Sequence, residues 1–248
     1  MELVSASVIL GAAGLAGFTQ GFAGFGSTLV ALPILGLVLP ARTAVPAACL
    51  MALCLNVVLV ARLHGHIRRG WLALLVASSL PGAALGVMLL GAAPDQVLKG
   101  ILGAATLYAA ARLFQKGTPE TAPSGGWAAA AGVLAGFLGV SIGVNGPPIV
   151  AWMARQPWDG RTVKATLTSY FLLAGFVIVG TQAAGGLFTA GTLQVFALSL
   201  PALAVGIWAG GASCGRLSEA VFRRAFLSLL GVMGTVLLVR AGAGLFGG

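Results

Sequence analysis

Long apolar segments with no carboxylate in their interiors follow one another along the whole chain. The five acidic residues, Glu2, Asp95, Glu120, Asp159 and Glu219, lie at segment ends or between segments. Only 8% of the 248 residues are charged, whereas a soluble domain needs far more charge to cover its surface. The apolar runs are continuous and do not alternate with polar residues, so they indicate helices and not barrel strands. The chain is therefore predicted to be an all-α integral membrane protein.

Ten apolar segments can be distinguished, five in each half. They span residues 4–19, 27–39, 43–62, 71–92, 97–114, 127–140, 146–154, 162–183, 190–212 and 221–243. A spanning helix needs about 20 residues, so we expect about eight to ten membrane segments. The segments 27–39 and 146–154 are short, which suits half-helices or a re-entrant hairpin. No basic region precedes residues 4–16, so a cleavable signal peptide is not expected.

A glycine-rich motif in the first half returns in altered form in the second. A shift of 119 positions (136 minus 17) places Gly17-Phe18 on Gly136-Phe137, Gly24 on Gly143, and Arg42-Thr43 on Arg161-Thr162. The shift needs no gap, which indicates a duplicated membrane protein. Because each half has an odd number of segments, the halves should enter the membrane from opposite faces as an inverted repeat.

The most polar stretch of the chain, residues 115–126, separates the two halves. It is rich in proline and glycine, as is typical of a linker. We therefore expect a first membrane repeat at 1–114, a cytoplasmic linker at 115–126 and a second membrane repeat at 127–248. Together the repeats should form one membrane domain.

The basic residues are distributed unevenly between the two sides of the predicted membrane topology. One side holds Arg62, Arg68, Arg69, Arg112, Lys116, Arg155, Arg161, Lys164, Arg216, Arg223 and Arg224. The other side holds Arg42, Lys99 and Arg240. Cytoplasmic loops carry the excess of Lys and Arg, so the first set should face the cytoplasm. The expected location is the cell (inner) membrane, with both termini on the outer, periplasmic side.

The two glycine motifs favour helix breaks at membrane depth, with polar side chains close to them. Glycines weaken a helix, and Pro147-Pro148 suits the first turn of a new one. Free N–H groups at such helix starts can bind an anion without any charged side chain. The predicted substrate-binding residues are Thr19, Gln20, Gly21, Gly24, Gly26, Ser27, Thr28, Asn56, Ser141, Gly143, Asn145, Gly146 and Pro147. Arg42 and Arg161 are predicted to line a gate or vestibule.

Structural alternatives exist for several of these residues. The spacing of Gly17 and Gly21 is common where two membrane helices pack closely. Asn56 could equally make a hydrogen bond between helices. Arg42 and Arg161 could anchor loops at the membrane interface. The repetition of the motif and the nearby polar cluster favour a binding site over packing alone.

Several other function classes lack the residues that they require. Cys49, Cys54 and Cys214 form no CxxC pair, and His64 and His66 share one basic loop. An enzyme would need a nucleophile with its base or a metal cluster, so no enzyme, cofactor or metal is expected. No basic domain stands apart from the apolar segments, so nucleic-acid binding is not expected either.

These motifs resemble those of the TauE/SafE family of membrane transporters, the sulfite-exporter-like group. The motifs concerned are Gly17-x-x-x-Gly21-x-x-Gly24-x-Gly26 and Gly136-x-x-Gly139-x-x-x-Gly143-x-x-Gly146-Pro147-Pro148, together with the stretches 66–71 and 80–86. The resemblance covers about residues 5–243. It implies secondary transport of sulfite, organosulfonates or related small anions. Ser27, Thr28 and Asn145 stand where the family often has glycine, and they add polar groups at the predicted site.

The function predicted from the sequence is export of a small anion by alternating access between the inverted repeats. A small-anion channel is the alternative, which the sequence does not separate from a carrier. The expected partners are a small anion and the lipid bilayer, with a homodimer as a possible assembly. No aspartate, glutamate or histidine lies within the predicted spans, so no proton relay of the usual kind is expected.

Overall fold

The computed structural model describes residues 3–60, 66–114, 124–214, 216 and 218–246. Within these residues the chain forms ten α-helices and no strand, which confirms the predicted all-α class. The helices are α1 (Leu3–Ala23), α2 (Ser27–Leu35), α3 (Ala41–Val60), α4 (Arg69–Ala92), α5 (Asp95–Phe114), α6 (Gly125–Ile142), α7 (Gly146–Met153), α8 (Gly160–Ala184), α9 (Ala190–Ser213) and α10 (Glu219–Phe246).

Seven of the described helices are long and apolar enough to cross a membrane. The other three are the short helices α2 and α7 and the 20-residue helix α5. The two short helices match the segments that were predicted to be too short for a span. Most of the predicted linker, residues 115–123, lies outside the described residues. Helix α6 begins at Gly125, so its first two residues lie in the stretch that was predicted to be the linker.

The first glycine motif packs α1 tightly against α9. Gly14 lies beside Ala202, Gly17 beside Leu203 and Gly206, and Gly21 beside Ile207 and Gly211. The contacts advance in the same order along both helices, so α1 and α9 run parallel. A Cβ on Gly17 would lie 2.6 Å from the carbonyl oxygen of Leu203, so only glycine permits this approach.

The same arrangement joins α4 to α6. Gly132 lies beside Leu75, Gly136 beside Ser79, Gly82 beside Val133, and Gly86 beside Phe137. These two helices are therefore also parallel and packed through glycines. The contact between the fourth helix of one half and the first helix of the other half thus occurs twice, as expected for a duplicated chain.

Two further pairs of corresponding helices run antiparallel. Asn56 near the end of α3 bonds to Phe171 in α8, whereas Cys49 nearer its start meets Gln182. In the same way Gly100 of α5 lies near Ala241 of α10, and Gly103 lies near Gly234. We call the end of the bundle where α3 begins end A, and the end where α3 finishes end B.

These directions place both ends of the α1–α2 pair at one end of the bundle, and both ends of the α6–α7 pair at the other end. Helix α9 begins at end A, because α8 runs antiparallel to α3; its parallel partner α1 therefore begins there too. Since α3 also begins at end A, the chain through α1 and α2 enters and leaves at the same end. By the same reasoning, α6 and α7 enter and leave at end B. Each pair is thus a hairpin whose two ends lie at the same end of the bundle.

Candidate functional site

The two helix breaks are formed by glycines in the left-handed backbone region. Gly24 and Gly143, which the 119-residue shift superimposes, have φ angles of 82° and 72°. Gly26, at the start of α2, has φ of 94°. Residues with a Cβ adopt this region with strain, so the glycines end α1 and α6 at defined positions. The matched geometry at Gly24 and Gly143 agrees with the duplication predicted from the sequence.

Residues from both breaks line the same cavity, together with residues of α3 and α8. Its volume, taken as the space open to the centre of a water molecule, is about 40 Å³. The lining residues are Gln20, Phe25, Gly26, Ser27, Thr28, Leu29, Cys49, Ala52, Leu53, Asn56, Gly143, Asn145, Gly146, Phe171, Gly175 and Ile178. No charged residue is among them. The space suits a small molecule or ion and not a drug-sized ligand.

A chain of hydrogen bonds crosses one wall of this cavity. The backbone N–H of Ser27 donates to Gln20 Oε1 (3.1 Å), and Gln20 Nε2 donates to Asn56 Oδ1 (2.7 Å). Asn56 Nδ2 in turn donates to the carbonyl oxygen of Phe171 (3.4 Å). Gln20 and Asn56 are buried, and buried polar groups in proteins are normally paired in this way. These hydrogen bonds fix which amide atoms of Gln20 and Asn56 face their neighbours.

Other polar groups at the cavity have no hydrogen-bond partner within the described structure. The first backbone bond into α2 runs from Val30 N to Gly26 O (3.3 Å), which leaves the amides of Thr28 and Leu29 without an acceptor. The side chains of Ser27, Thr28 and Asn145 likewise make no hydrogen bond in the described part of the chain. The cavity therefore presents unpaired neutral donors, as an anion-binding site requires.

The structure brings eight of the thirteen predicted binding residues to the cavity. These are Gln20, Gly26, Ser27, Thr28, Asn56, Gly143, Asn145 and Gly146. The other five lie nearby or elsewhere. Gly21 contacts α9 through the backbone of Ile207, and Ser141 donates its hydroxyl to Phe137 O (2.6 Å) in its own helix. Gly24, Thr19 and Pro147 adjoin the breaks but are not among the lining residues.

The two arginines predicted to form a gate lie at the starts of α3 and α8. Arg42 is exposed at end A and donates from Nη2 to Ala93 O (3.4 Å). Arg161 is exposed at end B in the first turn of α8, where its backbone N–H donates to the side chain of Asp159 (3.2 Å). A hydrogen bond from the Thr162 hydroxyl holds the pKa of Asp159 below its ordinary value. Neither arginine lines the cavity.

Several lining residues were not predicted from the sequence. Phe25, Cys49, Phe171, Gly175 and Ile178 all reach the cavity. Gly175 could have been predicted from the duplication, because it corresponds to the predicted residue Asn56 (175 minus 56 is 119). The apolar lining residues could not have been predicted, since they resemble the other apolar residues of their helices.

One basic residue, Lys164, also lies close to the first break. The Cε atom of Lys164 lies 3.4 Å from the position that a Cβ would take on Gly24. Lys164 is exposed and belongs to the first turns of α8, at end B. It therefore places a positive charge outside the cavity on that side, where it can attract an anion.

The fold and the cavity together define a class of protein. The described residues contain no group of three or more His, Cys, Asp or Glu side chains that could hold a metal ion. The molecule is a multi-pass helical membrane protein with two glycine-broken hairpins that meet at a small cavity, where neutral polar groups lie among apolar side chains. Such breaks, at corresponding positions of two repeats, are characteristic of secondary transporters.

The comparison with known families agrees with this class. The model of the family described as "Sulfite exporter TauE/SafE" matches residues 9–237. The chain belongs to this family, which confirms the resemblance seen in the sequence motifs.

A curated relative from Cupriavidus necator carries the name "Probable sulfite/organosulfonate exporter TauE". It is 28% identical to this chain over 164 residues, which cover 64% of this chain and 64% of the relative. The match thus spans less than two thirds of that protein's length. No solved structure matches this chain.

Proposed function

We propose that this protein is a secondary transporter that exports a small oxyanion, such as sulfite or an organosulfonate, across the cell membrane. The observation that carries the proposal is the cavity where the two breaks meet, with unpaired neutral donors and no charged lining residue. Neutral donors can bind an oxyanion without forming a tight ion pair, so the anion can be released on the other side. The name of the Cupriavidus necator relative supports the substrate class.

The transport mechanism in this proposal is alternating access between two inverted repeats. The directions of the helices support it, because one broken hairpin enters from end A and the other from end B. A site between such hairpins can be opened to either side by a rocking motion of the halves. The anion then occupies the cavity between the residues around Gly26 and those around Gly143.

The charge distribution supports an orientation with end B in the cytoplasm. The basic residues at this end include Arg68, Arg69, Arg112, Arg155, Arg161, Lys164, Arg216, Arg223 and Arg224, whereas end A has Arg42, Lys99 and Arg240. Lys99 is paired with Asp95 (2.8 Å), which reduces the positive charge of end A further. By the positive-inside rule, end B faces the cytoplasm and both termini face outward.

Membrane potential is the driving force that this site favours. No acidic residue and no histidine lines the cavity, so the cavity lacks the side chains of a usual proton relay. Moving one charge through 100 mV changes its free energy by about 2.3 kcal/mol, which corresponds to a roughly 50-fold concentration ratio. An inside-negative potential would therefore drive the export of a monovalent anion.

Flux measurements in proteoliposomes test the proposed function. Purified protein would be reconstituted and offered sulfite, sulfate, sulfoacetate, taurine and acetate under an imposed gradient. We expect protein-dependent flux of sulfite or of a sulfonate, and little flux of acetate. No flux of any anion from the panel, in vesicles with verified protein insertion, would contradict the transporter proposal.

A counterflow experiment separates the carrier from the alternative, a small-anion channel. Vesicles preloaded with unlabelled substrate would be diluted into labelled substrate. A carrier should take up the label faster and accumulate it transiently, because the unlabelled substrate inside competes with the label for the binding site and so slows its exit. A channel should instead equilibrate the label without any acceleration by preloaded substrate.

A further inference from the structure

The two helix breaks differ in the hydrogen-bond donors that they offer to the cavity. Residues Thr28 and Leu29, in the first turn of α2, have backbone N–H groups with no acceptor in the described structure. The 119-residue shift places Pro147 and Pro148 at the corresponding positions of α7. Proline has no backbone N–H, so the second break lacks both of these donors.

The side chain of Ser27 is a second, independent sign of a ligand at the first break. Ser27 is only 4% exposed and lines the cavity, yet its hydroxyl has no hydrogen-bond partner in the described part of the chain. The hydroxyl oxygen also keeps a small accessible surface, so it is not fully enclosed by the protein. Buried hydroxyls normally have a partner, and a bound oxygen atom would provide it. At the corresponding position the second break has Gly146, which has no side chain.

The supporting side chains also belong to the first repeat. Gln20 accepts the amide of Ser27 and is held by Asn56, so it fixes the start of α2 relative to α3. The shift places glycines at both corresponding positions, Gly139 and Gly175. Asn145, which corresponds to Gly26, is the polar side chain that the second break brings to the cavity.

We propose that the first hairpin forms the main anion-binding part of the site, through the amides of Thr28 and Leu29 and the hydroxyl of Ser27. The second break then closes the cavity and contributes shape and the Asn145 side chain. Three donors on consecutive residues suit the three oxygens of a sulfite or sulfonate head group better than the two of a carboxylate. This inference rests on the proposed function, and it assigns unequal roles to the two repeats.

Removing a single backbone donor tests this assignment. Leu29→Pro deletes the amide at a first-turn position where a helix tolerates proline, and Pro148 is the natural example of it in α7. Leu29→Ala is the matched control, since it shortens the same side chain but keeps the amide. We expect Leu29→Pro to weaken sulfite binding by roughly tenfold or more, as for a lost hydrogen bond to a charged group. Leu29→Ala should weaken it much less.

The reverse substitution is made at the second break. Pro148→Ala restores an amide there, and we expect sulfite affinity to stay within about twofold of the wild type, because the anion is held at the other hairpin. Binding would be measured by titration calorimetry with sulfite on purified protein, with thermal unfolding checked for every variant. Equal losses for Leu29→Pro and Leu29→Ala, or a marked change for Pro148→Ala, would overturn the assignment.

Ser27→Ala keeps the test decisive if Leu29→Pro does not fold. This variant removes the unpaired hydroxyl with little change in volume, so it should fold and should bind sulfite several-fold more weakly. Unchanged affinity would count against the assignment. Wild-type protein that neither binds nor transports any anion would instead refute the proposed function, so the two failures can be distinguished.

Discussion

At the scale of single residues, the candidate site depends on neutral amides that are held in fixed orientations. Gln20 is the central one, because it accepts from Ser27 and donates to Asn56. Losing this side chain would leave the Ser27 amide and the Asn56 carbonyl oxygen unpaired in a buried place. Each such unpaired group costs roughly 1–3 kcal/mol. Gln20 therefore acts as a positioning residue for the start of α2.

Replacement of Gln20 by leucine should weaken substrate binding and not merely destabilise the fold. We expect Gln20→Leu to raise the Kd for sulfite by about tenfold, since the start of α2 loses its acceptor. The control is Gln182→Leu, which removes another buried amide that bonds to Val140 O (3.1 Å) and does not line the cavity. Calorimetric titration of both variants distinguishes the effects. Similar affinities for both would show that Gln20 has only a structural role.

Asn145 provides a separate residue-scale prediction. Its side-chain amide has no partner in the described structure and lies at the cavity from the second break. We expect Asn145→Leu to lower transport of sulfite while leaving thermal stability close to that of the wild type, because no hydrogen bond within the protein is lost. Initial flux rates in proteoliposomes would be compared with Asn145→Gln, which keeps the amide. If Asn145→Leu and Gln20→Leu both keep normal substrate affinity, the glycine breaks serve as scaffolding.

At the scale of helices, the glycines have two distinct functions that the motif alone does not separate. Gly24, Gly26 and Gly143 have positive φ angles and end or begin helices. Gly17 and Gly21, only a few residues away, are helical and pack against the backbone of α9. The packing glycines bring whole helices into close contact, as small residues do in membranes. They therefore affect the cavity only through the position of α1.

An added methyl group at Gly17 should separate α1 from α9. A Cβ at this position would lie 2.6 Å from Leu203 O and 2.9 Å from Ile207 N, and neither backbone atom can move easily. We expect Gly17→Ala to cost roughly 1–3 kcal/mol of stability, as overpacking does. Gly11→Ala is the control, because it lies on the same helix and its Cβ would meet no atom within 4 Å. Thermal unfolding in detergent would measure the difference, and equal Tm values would contradict the packing role.

At the scale of the whole molecule, the directions of the helices determine which ends meet. Helices α1 and α9 are parallel, α3 and α8 are antiparallel, and α1 begins and α10 finishes at end A. The basic residues at end B then predict the orientation in the membrane. The count of basic residues in the sequence predicts the same orientation. The structure adds the directions of the helices, which do not depend on charge.

The predicted orientation can be tested with reporter fusions at the C-terminus. We expect alkaline phosphatase fused after residue 248 to be active in cells and green fluorescent protein to be dark, because both termini should lie outside the cytoplasm. Fusions after residue 118, in the predicted linker, should give the opposite pattern. A fluorescent C-terminal fusion would show that the charge-based orientation is wrong.

The protein class, the approximate positions of the helices and the places where they break could be predicted from the amino-acid sequence. These features are local: apolar runs require a membrane, positive-φ positions require glycine, and prolines suit a first turn. Accordingly the starts of α2 and α7, at Ser27 and Gly146, agree with the predicted short segments.

The tertiary fold determines which residues meet at the cavity, and the sequence pattern does not show it. It brought Asn56 to Gln20 and Phe171 to Asn56, and it directed Gly21 toward α9. In a soluble protein, the apolar face of a helix is the buried face, so the sequence would have indicated the packing surface. Here lipid and protein interior are both apolar, so hydrophobicity does not distinguish them, and shape and sparse hydrogen bonds select the contacts.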